Sequence, residues 1–104
     1  MELNEQPIPP AALLDSDALE MLRVWVAQRG LHCSLRVGYY ESRKIKEERA
    51  WGIMLADISR HVARAVAQKL GRDERVVLSE VLKGMRDELD RPTSPISGEV
   101  LKKA

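Results

Sequence analysis

Residues 51–70 read WGIMLADISRHVARAVAQKL, a run with no proline and one glycine near its start. At roughly 100° per residue, Trp51, Met54, Leu55, Ile58, Val62, Ala65 and Val66 share one face, so the run is a helix. Gly52, Ala56, Ser59 and Ala63 widen that face with small residues, while Asp57, Arg60, His61, Arg64 and Gln68 gather opposite. The apolar and small arc is wider than the ~100° stripe of an ordinary surface helix. Two partners are therefore expected, one under the bulky stripe and one against the small flank.

Working outward, Lys46–Arg49 is charged and begins this helix, and Gly71 supplies a natural stop. Asp73 is placed to cap a second helix with the stripe Leu78, Val81, Leu82, Met85 and Leu89, ended by Pro92. Gly84 lies within that helix, at a cost of up to ~1 kcal/mol or in exchange for a close contact.

Upstream, Leu19–Gly38 reads as a β-hairpin turning at Arg29-Gly30. That turn puts Val26 opposite Cys33, Val24 opposite Leu35 and Leu22 opposite Val37, aligning both alternating patterns on one apolar face. The other face carries Met21, Arg23, Trp25, Ala27, His32, Ser34 and Arg36, with Arg23 opposite Arg36 at an energetic cost. The rival reading is a helix from Asp17 to Arg29, because Leu19, Leu22 and Val26 also fit helical spacing. Met1–Pro10 contains three prolines and should be extended. Ala11–Asp17 is either one helical turn or a loop organised by Asp15, Ser16 and Asp17.

The expected architecture is one α+β domain, β-β-α-α, with the hairpin packed on two helices and the sheet open to extension by dimerisation. Its limits are an extended arm over 1–17, the domain over 18–91, and a mobile tail over 92–104.

Composition bounds the function. The 104 residues suffice for one core. Hydrophobic residues make up 44%, too many for a wholly disordered chain. Phe is absent and Trp and Tyr number two each, so the core must be aliphatic. A net charge of +1 gives no general attraction to nucleic acid or anionic membrane. No run approaches the ~20 apolar residues that span a bilayer. The start, MELNEQPIPP, has no basic segment before an apolar core, so no secretory signal is expected. A cytoplasmic setting fits these features and the single cysteine, Cys33.

Three constellations could carry chemistry. Asp57 and His61 stand one helical turn apart, where a carboxylate can orient an imidazole, but no nucleophile lies nearby in sequence. His32 and His61, the only histidines, could in principle make a tetrahedral metal set with Cys33 and Asp57, but without the usual short spacing, and neither metal nor cofactor is expected. Trp25 with Arg23, Arg36 and His32 forms a basic-aromatic face suited to a protein interface or to stacking on bases. The leading reading is a non-enzymatic homodimer or adaptor using Arg23, Trp25, Arg36 and a free strand edge. The alternatives are a nucleic-acid-binding or regulatory module on the same face, and a small enzyme centred on Asp57 and His61.

The run WGIMLADISRHVARA, with LRVWVAQRGLHCSLR before it and DELDRPT after it, resembles a small family of bacterial domains of unknown function, seen mostly in alphaproteobacteria. The likeness spans about Leu19 to Thr93 and centres on Trp-Gly-Ile-x-Leu-Ala-Asp-x-x-Arg-His. Ahead of that Trp, this chain has the basic stretch Ser42–Arg49 where the family has a short acidic Asp-Pro step. The resemblance implies a bacterial cytosolic origin and brings no catalytic residue with it.

Overall fold

The computed structural model describes residues 2–93, 95–96 and 98–101. Its elements in chain order are α1 (Pro10–Leu13), β1 (Leu22–Ala27), β2 (Gly30–Arg36), α2 (Glu47–Leu70), α3 (Glu74–Asp90) and β3 (Gly98–Leu101). The α+β class and the β-β-α-α core are as the sequence predicts, and the hairpin is chosen over the rival helix. The ambiguous stretch after Pro9 becomes a single turn, α1, with Pro10 at its first position. There its missing N–H costs nothing. Asp15 Oδ1 then accepts from Asp17 N at 2.9 Å, an Asx turn that leads toward β1.

The hairpin register differs from the expected one. Val24 pairs with Cys33, Val26 with Leu31, Trp25 with His32 and Arg23 with Ser34. The turn is therefore Gln28-Arg29, one residue earlier than Arg29-Gly30. Both turn residues take positive φ, 50° and 62°, as a type I′ turn demands. For residues with a Cβ this costs about 1–2 kcal/mol each. Two gains set against that cost are visible. Arg23 no longer faces Arg36, and Trp25 gains a ring opposite it, with His32 Nε2 3.1 Å from Ala27 O. The pairing moves by two residues, an even number, so the apolar set Leu22, Val24, Val26, Leu31, Cys33 and Leu35 still shares one face.

β3, within the segment expected to be a tail, joins β2 in parallel, with Leu35 beside Val100. The sheet order is β1-β2-β3, so the chain itself covers one of the two hairpin edges.

α2 and α3 form an antiparallel pair. Gly71 adopts the left-handed conformation at φ 64°, and Arg72 N donates to Ala67 O at 3.0 Å, closing α2 with a Schellman motif. Asp73 Oδ1 accepts from Arg75 N at 2.9 Å and Val76 N at 3.2 Å, capping α3 as the sequence implies. The buried core is small: Ala63, Ala67 and Val77, with Val66, Leu78 and Val81 packed against it. Ser59 is also buried, and its hydroxyl is satisfied by Leu55 O at 2.8 Å.

Of the two partners expected for α2, the one against the small flank is present and the one under the bulky stripe is not. Part of the small flank, extended by Ala67, meets α3 because short side chains let two helices approach closely. The bulky stripe stays open, with Leu55 45%, Ile58 38% and Val62 42% exposed. Among the described residues, no Cα of a strand lies within 8 Å of a Cα of α2 or α3. The hairpin's aliphatic face is open as well, with Val26 82% exposed.

Two stability measurements check these points. Replacing Gln28-Arg29 by Asn-Gly should raise stability by about 1 kcal/mol, as relief of strain outweighs the added freedom of glycine. A higher urea midpoint at fixed protein concentration and unchanged slope is the expected result. A Cβ added at Gly84 meets nothing within 4 Å, so Gly84→Ala should stabilise α3 by up to about 1 kcal/mol. A loss in the same titration would mean that another chain approaches there.

Candidate functional site

The connection between the sheet and the helices, residues 37–46, is where the most elaborate polar constellation forms. Its centre is Glu47, the first residue of α2 and only 9% exposed. Glu47 Oε1 accepts from Tyr40 N at 2.8 Å, and Oε2 accepts from Gly38 N at 3.0 Å and from Trp51 Nε1 at 3.0 Å. Gly38 reaches this geometry at φ 105°, a conformation closed to residues with a Cβ. Trp51 stands at i+4 from Glu47, so α2 itself aims the indole at the carboxylate.

The same connection stacks Tyr39 on Tyr40 edge-to-face, with centroids 4.9 Å apart. Arg43 lies 3.9 Å over the Tyr39 ring and donates to Tyr39 O at 3.0 Å. An open depression of about 550 Å³ borders this region, lined by Glu41, Arg43, Lys44, Ile45, Lys46, Glu47 and Glu48.

The amide of Gly38 is the leading influence on the Glu47 carboxyl, holding it below the ordinary glutamate range against the opposing effect of burial. Tyr40 N and the Trp51 indole add to the downward shift. Sequence reading did not single out Glu47. A Glu in the first turn of a helix, four residues before a Trp, is the signal that was present, but its backbone donors come from a loop whose fold the sequence does not fix.

The residues that the sequence did single out are distributed as follows. Arg23, Trp25 and Arg36 share one face of the sheet. Arg23 is held by Glu20, through Nη2 at 3.0 Å, and by Glu5 of the N-terminal arm. The Glu20 side-chain bond, then the Glu5 bond, raise the Arg23 pKa above its ordinary value. Arg36 Nε donates to Glu20 O at 3.1 Å. Trp25 is half-buried. The face expected to point outward is thus engaged by the chain's own arm and by Glu20.

Asp57 pairs with Arg60, and among the described residues no bond joins it to His61. Both Asp57 and His61 are exposed. His32 and Cys33, as neighbours on a strand, point to opposite faces of the sheet. The strands do not closely approach α2, so the four potential metal ligands are not brought together.

Residues 5–93 match the family described as domain of unknown function DUF5076. The chain belongs to this family. The matched span begins at Glu5, the partner of Arg23, and ends at Thr93, whose Oγ1 donates to Glu88 Oε1 at 2.9 Å. β3 lies beyond the matched span. The DUF5076 chain is also similar to a solved structure from the photosynthetic bacterium Rhodopseudomonas palustrus CGA009, described as a candidate pyruvate dehydrogenase. The two are 32% identical with a TM-score of 0.65, over 90% of this chain and 91% of that one. No curated protein matches. No described helix is long and apolar enough to cross a membrane.

The Glu47 constellation predicts a particular acid response. Its folded pKa lies below the ordinary value of about 4.3. Its contribution is therefore present above that value and is lost as pH falls through the folded pKa. Glu47→Gln should have a lower urea midpoint than the parent chain at neutral pH, and the difference should shrink as pH drops below about 4. A difference constant across that range would show that the charge on Glu47 is not what holds the connection.

Proposed function

We propose that this DUF5076 domain is a non-enzymatic protein-interaction domain whose working form is a homodimer. The observation that carries this reading is the surface one chain leaves uncovered. The chain exposes 9434 Å², whereas a compact monomer of 11.8 kDa should expose about 5,900 Å². Its radius of gyration is 15.6 Å, against about 13 Å for a compact domain of this length. The extended arm accounts for part of the excess, and aliphatic side chains on both the sheet and α2 account for more. None of the large side chains is fully buried among the described residues. A stable protein interface needs only about 800 Å² from each partner, so the uncovered surface is ample.

The competing readings have less support. A nucleic-acid surface needs cations free to meet phosphate, and Arg23 is already engaged by Glu20 and Glu5. An enzyme centred on Asp57 and His61 needs the carboxylate to orient the imidazole, and Asp57 is paired with Arg60 instead. The activity named for the R. palustrus protein is that protein's own, and the Asp57–Arg60 pair lends it no support here. A reducing, cytoplasmic setting, which would keep Cys33 a thiol, accompanies the proposal.

Sedimentation velocity across the micromolar range tests it. The expected species has twice the 11.8 kDa chain mass. A single species at the chain mass throughout that range would overturn the homodimer.

A further inference from the structure

We infer that the two uncovered aliphatic faces of this chain are each other's partners in trans: the sheet face of one copy packs on the α2 stripe of a second copy, and reciprocally. This inference rests on the homodimer proposed above and specifies how it is built. On the sheet, Val24 and Cys33 pair across the strands, as do Val26 and Leu31. Val24 is 48% exposed and Leu31 51% exposed. On α2, Leu55, Ile58 and Val62 follow one another at helical spacing on one side of the cylinder.

A half-apolar sheet and an apolar helical stripe are the two layers from which an α+β core is made. Within one chain no described strand Cα comes within 8 Å of a Cα of α2 or α3, and Val24, Val26, Leu31, Leu55, Ile58 and Val62 stay exposed. The connection between them is organised by its own hydrogen bonds. Glu47 fixes both Gly38 and Tyr40, and Arg43 clamps Tyr39. A second copy can cover the exposed part of each layer with the other.

Self-association is favoured over a foreign partner by symmetry and by charge. In a twofold dimer, if patch i meets patch j of the partner, then j meets i as well. Two complementary faces on one chain satisfy this condition without any third surface. Val24, Val26, Leu31, Leu55, Ile58 and Val62 are all uncharged, and a chain of net charge +1 opposes its own copy little.

Cys33, the only cysteine, lies on the sheet face and serves as a built-in reporter. The parent chain is refolded together with a mass-tagged chain carrying Cys33→Ser and one of Leu55→Cys, Ile58→Cys or Val62→Cys. Each chain then has a single thiol, so a disulfide or short bismaleimide link between them can form only in trans. The expected result is a heterodimeric link at one or more of the three positions, and none with Cys33→Ser plus Lys83→Cys, which puts the thiol on exposed α3. Val26→Asp should weaken the dimer at least tenfold in sedimentation while leaving the circular dichroism unchanged. A dimer by sedimentation that gives no link at any of the three positions overturns this arrangement and leaves the homodimer standing. A monomer overturns both.

Discussion

A single carboxylate, that of Glu47, carries the tie between the two halves of this molecule. Its oxygens take the amides of Gly38 and Tyr40 from the connection and the indole N–H of Trp51 from α2. Lys46, at the helix N-cap, makes no side-chain bond to the first turn, so an anion at the first helical position also suits the positive end of the helix dipole. Burial opposes the charge, and three donors overcome it. No described strand Cα comes within 8 Å of a Cα of α2 or α3, so this bond set is the best-defined polar link where the connection enters α2.

With the connection pinned, each half has only its own residues to bury. The helical pair manages a core of alanines and valines, because small side chains on α2 allow α3 to come close. Aliphatic side chains of the hairpin and α2 face solvent in a single chain. Exposed singly such residues are ordinary, but contiguous apolar patches of this kind mark interaction sites. The fold and the proposed function therefore share one feature, the aliphatic side chains of the hairpin and of α2 that one chain leaves exposed.

The Arg23–Trp25–Arg36 face shows how local chemistry can mislead about exposure. Arginines around a tryptophan on a strand look like a docking surface. Glu20 lies three residues before Arg23 and Glu5 eighteen before it. The nearer could have been suspected from sequence, and the farther depends on the path of the arm. Asp57 and His61 illustrate the same point, since on one helix a carboxylate can choose between neighbours at i+3 and i+4, and here it takes Arg60.

Local periodicity and chain punctuation determined much of this protein. The span of α2, its stop at Gly71, the Asp73 cap, the α+β order and the residues sharing the hairpin's apolar face all follow from interactions within a few residues. The hairpin register did not, because two turns compatible with the same alternation differ by a pairing energy between residues far apart in sequence, Arg23 and Arg36. Nor did β3, whose short strand gains its bonds only when β2 is already in place. Which face of α2 is buried was likewise beyond the sequence. Periodicity states that a face is apolar, whereas only the tertiary arrangement fixes whether the chain's own elements reach it. Here the short side chains of α2 let α3 approach and form the intrachain core, while Leu55, Ile58 and Val62 stay exposed.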